Sequence, residues 1–318
     1  MNQSNSKIKI LIFLLCLIFL QTLSYSIYSL EIRDNQHYSN FYNNINVLDN
    51  GLISSYIQYQ SSLGASEPVF FILNSIFNAL SFDYSLFILS LNVILSLVIA
   101  IYGVKYSYRT TVFLLFSYYI ATDYYIFVLF SEAQRLKVAI IFVLIYLISK
   151  KKSALIISLL SHTQIIFLIL SKFKLAVLKK PIIVFSLMFF LGVLISSPAV
   201  VGKVMYYLNQ SLNINNMINN ILSSTILVFA FLLIYVVCDV KIDGQYLFFI
   251  FMMLMASFVF GKARINIFIF EVSMFYLFYL INKNYSNFRL LALMLFVVLV
   301  SVFNIYKISS QYHYLMAS

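Results

Sequence analysis

The sequence is short of the groups that keep a protein dissolved. Asp and Glu number 10 and Lys and Arg 21 among 318 residues, so only 10% of the chain is charged. A water-soluble domain carries about a quarter charged residues, and a soluble fold of this length is therefore excluded. Cysteine is equally scarce. Cys16 and Cys238 both fall inside apolar runs, so no disulfide framework is expected. His37, His162 and His313 stand too far apart for zinc spacing. Neither a metal cluster nor a cofactor is expected.

Apolar residues make up 63% of the chain and gather in runs of about 16 to 20 that recur along its length. Runs of that length are transmembrane helices. The net charge of +11 does not point to nucleic acid. The basic residues lie in short clusters between apolar runs, as the positive-inside rule requires, and no soluble basic face is left to meet phosphates. The expected fold is all-α: a polytopic transmembrane bundle of about 9–11 helices, forming one integral membrane domain over residues 1–318.

Strong apolar segments cover about 8–30, 84–103, 112–130, 134–149, 181–200, 222–240, 245–260, 265–281 and 290–306. Lys7 and Lys9 precede the run Ile10–Leu20, which has no small-residue cleavage site and reads as a retained signal anchor. Segments 69–81 and 153–171 are ambiguous. The first is 13 residues long, roughly 20 Å at helical rise against a hydrocarbon core of about 30 Å, and the second is flanked by lysines on both sides. If both cross, the basic residues divide evenly between the two sides. If neither crosses fully, 14 of the 21 fall on one side: Lys7, Lys9, Lys105, Arg109, Lys150, Lys151, Lys152, Lys172, Lys174, Lys179, Lys180, Lys241, Lys283 and Arg289. That asymmetry favours nine full crossings with the N-terminus inside, plus two segments that dip in. Outer loops then fall at about 31–66 and 201–221. Pro68 after Glu67 suits a first helical turn, with Asn74 and Asn78 on one face of the helix that follows.

The informative charges are those the topology leaves unexplained. Arg135 and Lys137 open a span with only about 14 apolar residues beyond them, roughly 21 Å, which puts them at the membrane edge or in a polar cavity. Arg264 likewise opens a late span. Lys262 and Lys307 fit simple snorkelling to head groups. Asp123 and Glu271 are carboxylates inside spans, where ionisable groups are costly and usually functional. Both are placed about 10 Å below the outer surface, and Arg264 and Glu271 share a helix face. The competing reading for these charges is an ion-pair network that only holds helices together. His162, near mid-depth in segment 153–171, is alone more often a packing histidine. Tyr38, Tyr42, Tyr56 and Tyr59 in the first outer loop, with Tyr206, Tyr207 and several Asn in the second, offer aromatic faces and amides suited to sugars.

Several ordered pieces carry a family resemblance: Asp34 and Tyr38 in IRDNQHY, Glu67 and Pro68 in SEPVFFILN, Arg135 and Ala139 in QRLKVAIIF, His162 at the end of SALIISLLSH, and Arg264 in FGKARINIFIF. In this order they resemble the Wzy-type O-antigen polymerases, in particular the EpsG-like branch of bacterial polysaccharide polymerases. Family members often carry a smaller residue where Lys137 stands. The resemblance implies a metal-independent glycosyltransferase of the bacterial inner membrane, compatible with a GT-C-like membrane core. Its substrate is an oligosaccharide repeat unit linked to undecaprenyl diphosphate, met among membrane lipid at the periplasmic face. A chain-length regulator and a flippase are the implied partners. Arg135 and Arg264 then bind the diphosphate or charged glycan, with Asp34, Tyr38 and Asp123 also lining the substrate. Glu67, His162, Glu271, Asp123 and Asp34 are the candidate bases, in that order. Rival readings are a flippase or transporter of the same lipid, a sugar O-acetyltransferase and a non-catalytic export scaffold. Flippases are usually longer with internal repeats, and the early Arg and His pair of the acetyltransferases is missing.

Overall fold

A computed structural model of the chain describes residues 34–45, 47–63, 67–106, 109–162, 165–166, 214–260 and 262–317, with Leu11, Phe13 and Leu15 placed singly. The spans expected at 8–30, apart from those three residues, and at 181–200 lie outside the described residues, as does most of the loop 201–221. The described residues are mostly helical, with no strand among them. Its helices are α1 (Asp34–Asn44), α2 (Val47–Asn50), α3 (Leu52–Leu63), α4 (Pro68–Ala79), α5 (Tyr84–Tyr106), α6 (Thr110–Thr122), α7 (Tyr124–Ser131), α8 (Gln134–Ser149), α9 (Lys152–Ser161), α10 (Ile214–Val237), α11 (Gly244–Phe260), α12 (Lys262–Lys283) and α13 (Asn287–Ala317).

Among the described residues, three segments are long and apolar enough to cross a membrane: Tyr84–Tyr106, Ile265–Lys283 and Asn287–Ser310. A fourth arises if α6 and α7 count as one span. Large apolar side chains point outward along α5 and α13, including Leu97 at 52% exposure, Leu299 at 71% and Phe303 at 65%. Such a surface is stable against lipid and not against water. The segment in α12 is instead 83% buried and forms the central helix. Polar side chains within helices bond back to their own backbone, as Ser75 does to the Phe71 carbonyl and Ser117 to that of Phe113, both at 2.9 Å. This is how a hydroxyl is satisfied where no water reaches it.

The expected continuous span 112–130 is broken. Asp123 takes an extended conformation, and its Oδ1 accepts from the Ile126 amide at 2.8 Å, so it caps a new helix. The two halves meet at a bend of 56°. An N-cap side chain competes with helix continuation by satisfying the amides that the previous turn would have taken. Close packing holds the first half against α5, since a Cβ at Gly103 would come within 2.8 Å of Phe116.

One end of the helical assembly collects basic residues. Lys105 donates to the Ile148 carbonyl, and Tyr106 to that of Leu147 at 2.6 Å. Asn282 donates to the Tyr106 carbonyl at 2.6 Å, and the Arg109 guanidinium lies 4.0 Å from the centre of the Tyr285 ring. Arg289 pairs with Asp239 at 2.7 Å and donates to the Cys238 carbonyl. Lys105, Arg109, Lys150, Lys241, Lys283 and Arg289, grouped on one side by the charge count, thus lie at this end. Segment 153–171 begins here as α9, whose 10 helical residues run about 15 Å to Ser161, with His162 following.

Within the stretch 31–66 the described residues form α1, α2 and α3, and two of its four tyrosines belong to a core. Tyr42 and Tyr59 are buried, at 2% and 0% exposure, in an aromatic cluster with Phe70, Phe71 and Phe87. Rings this close in edge and stacked pairs hold α1 and α3 onto α4 and α5. Residues 214–221, expected in the second loop, already belong to α10.

Candidate functional site

Helix α8 begins inside the protein. Arg135 and Lys137, placed by sequence at the membrane edge or in a polar cavity, are buried to 5% and 0% exposure, and the two cations are satisfied in different ways. Arg135 donates through Nη1 to Glu67 Oε2 at 2.9 Å and through Nε to the Tyr38 hydroxyl at 3.0 Å. Glu67 is itself held in place as the residue before α4, with Pro68 opening that helix. Three distant stretches of chain therefore meet at one guanidinium. Lys137, fully buried, donates to neutral oxygens: Asn92 Oδ1, Gln134 Oε1 at 2.6 Å and the Phe130 carbonyl at 3.1 Å.

His162 arrives at the same level by antiparallel packing of α9 on α8. Ser158 donates to the Ala139 carbonyl at 2.9 Å. Ala139 lies one turn beyond Arg135 and Ser158 one turn before His162, so the hydrogen bond sets Arg135 and His162 at similar depth. The small Ala139 side chain, fully buried, lets the helices approach. His162 is 4% exposed, with its ring 6.4 Å from that of Phe268.

Arg135, Tyr38 and His162 line a cavity of about 690 Å³. Its wall continues through Tyr124, Tyr125, Glu132, Asn266 and Lys307. Lys307 was expected to snorkel, but its ammonium lies 3.7 Å from the centre of the Tyr124 ring and 5.3 Å from that of Tyr125. Asn266 is fixed by Ser224, whose hydroxyl donates to its Oδ1 at 2.7 Å. A volume of several hundred cubic ångströms with few convergent polar groups is the form of a small-ligand site. The cations and the amide suit an anionic, hydroxyl-rich ligand.

Of the residues proposed from sequence, Tyr38, Glu67, Arg135 and His162 come together. Glu67 stands behind Arg135 and does not line the cavity. Asp34 and Arg264 belong to α1 and α12, but their side chains lie outside the described residues. Asp123 and Glu271, expected at one depth, face each other. Glu271, however, lines a second cavity of about 400 Å³ nearer the basic end and is not part of the first. Lys307, Asn266 and the Tyr124–Tyr125 pair were not proposed from sequence as site residues. The one sequence signal for them is two adjacent tyrosines after an aspartate within an apolar run. No family model, curated protein or solved structure matches this chain.

Proposed function

We propose that the protein polymerises oligosaccharide repeat units carried on undecaprenyl diphosphate, at the outer face of the bacterial inner membrane. The topology is nine crossings with two half-length segments, and the basic end faces the cytoplasm. The observation that carries the reading is the convergence of Tyr38, Arg135 and His162 on one cavity, with Glu67 behind Arg135 and joined to it, as Tyr38 is, by a direct hydrogen bond. These are four of the pieces on which the resemblance to Wzy-type polymerases rests.

In the proposed reaction the acceptor hydroxyl oxygen bonds to the anomeric carbon of the growing glycan. The bond from that carbon to the phosphate oxygen breaks, and its electron pair leaves with the lipid diphosphate. His162, which lines the cavity together with Arg135, takes the hydroxyl proton. Arg135 stabilises the charge growing on the diphosphate, held in position by Glu67 and Tyr38, and Lys307 adds a second cation. The diphosphate bond supplies the driving force.

Deleting the gene should leave single repeat units assembled and displayed but never extended. Purified protein in liposomes should lengthen lipid-linked repeats without nucleotide. A size ladder of the glycan reads both. Normal-length chains in a deletion strain lacking any second polymerase would end the proposal. Retention of lipid-linked units on the cytoplasmic side would instead identify a flippase.

A further inference from the structure

The second cavity has different chemistry. It is lined mainly by tyrosines, phenylalanines and aliphatic side chains, and it opens at the basic end beside the exposed residues Lys150, Asp243 and Gln245. Its inner wall includes Glu271, 3% exposed, which lies 12 residues from the end of α12 at Lys283, about 18 Å along the helix. One oxygen of Glu271, Oε2, accepts from the Tyr119 hydroxyl at 3.1 Å. The other, Oε1, is buried and receives no donor from the described residues. A buried acceptor left without a donor marks a place for a ligand that brings a hydrogen.

Asp123 lies beside Glu271 and is fully buried. Its oxygens accept from the Ile126 amide at 2.8 Å and from Asn304 Nδ2 at 2.9 Å. The titratable groups facing the pair among the described residues are Tyr119 from α6, Tyr125 from α7 and Lys307 from α13. Two carboxyl groups side by side without water cannot both stay ionised. One proton held between them resolves the conflict and supplies the donor that Oε1 lacks. The pair sits at the break between α6 and α7, and discontinuous membrane helices commonly form ion sites at such breaks. Tyr124, Tyr125 and Lys307, next to Asp123, line the first cavity, so the pair forms part of the partition between the two.

We propose that Asp123 and Glu271 form a proton-exchange site, loaded through the second cavity from the basic end. The site is independent of the sugar chemistry proposed above.

Dicyclohexylcarbodiimide tests it, because this apolar reagent reacts with protonated carboxyl groups. The acid adds across a C=N bond, its proton passing to nitrogen and its oxygen to the central carbon. Acyl transfer to nitrogen then leaves a stable N-acylurea, with no atom lost. In the purified full-length protein in detergent, peptide mass spectrometry should find the adduct on Glu271. Its rate should fall as pH rises. Glu271→Gln should abolish the adduct on that peptide. Leu155→Trp, at a half-buried position lining the second cavity, should slow labelling several-fold. An unlabelled Glu271 at every pH, while exposed Asp83 is modified in acid, would overturn the proposal. So would wild-type labelling in Leu155→Trp, which would remove the second cavity as the route. Protection by sodium with no effect of pH would assign a metal cation in place of the proton.

Discussion

The two cavities share a partition but are built from opposite materials. The first presents two cations, Arg135 and Lys307, with His162, the carboxyl group of Glu132 and the amide of Asn266. The second presents tyrosines around a carboxyl group, with its charges near the mouth. The same low-dielectric interior acts on both, and it makes every unmatched charge expensive. In the first cavity Glu67 and Tyr38 hold one cation, Arg135, so that it remains charged and oriented. In the second no cation is paired with Glu271 among the described residues, and a proton is the cheapest neutraliser. A wall with two cations to one carboxyl group suits an anionic substrate, whereas a paired acid suits proton exchange.

The largest break in this contrast comes at Arg135. Arg135→Ala removes the guanidinium that meets the buried Glu67 carboxylate, which costs about 3–5 kcal/mol of stability. Polymer should disappear. The double variant Arg135→Ala with Glu67→Ala should recover much of the thermal stability in detergent but no chain growth. Recovery of chain growth in the double variant would reduce Arg135 to a structural ion. Next in size, His162→Asn should lower kcat by about 100-fold or more, the usual weight of a general base, with little change in KM for the lipid-linked acceptor. An equal loss through KM alone would make His162 a binding residue.

Lys137→Met sharpens the contrast from the other side, since Lys137 lies two residues from Arg135 yet does not line the cavity. It leaves Asn92, Gln134 and the Phe130 carbonyl without their shared donor, at a cost of about 1–3 kcal/mol. Thermal denaturation should register that loss while chain length stays normal. The smallest effect is expected at Lys307→Ala. The ammonium over the Tyr124 ring is worth about 0.5–2 kcal/mol, so stability should change little. KM should rise by less than about tenfold, most visibly at low salt, where charge attraction is least screened.

Much of this site was legible in the sequence because membrane chains make charge conspicuous. Asp123, Arg135 and Glu271 each interrupt an apolar run, and an ionisable residue there has few roles besides function or pairing. Their depths also followed from helical rise alone, which is why Asp123 and Glu271 were expected at one level and are found together. Glu67 and His162 were legible only through the resemblance, since neither position is unusual by composition. The illegible part concerns partners. Lys137 and Arg135 look alike in sequence, but one meets a carboxylate and the other three neutral oxygens. The tyrosines of the first outer stretch are compatible with sugar binding or with a core, and packing against Phe70, Phe71 and Phe87 chose the core for Tyr42 and Tyr59.

The sequence by itself determined that this is a helical protein for a membrane, because so few charges and such long apolar runs cannot be hidden from water in any other way. It also determined that the lysines cluster in short groups between apolar runs, since that depends only on counting along the chain. Only the tertiary structure decided that the span through Asp123 breaks, that Arg135 is held by Glu67 and Tyr38, and that Glu271 belongs to a cavity of its own. Those outcomes depend on which side chains from distant helices meet where water is absent, and the energy of a buried charge is set by the group that meets it.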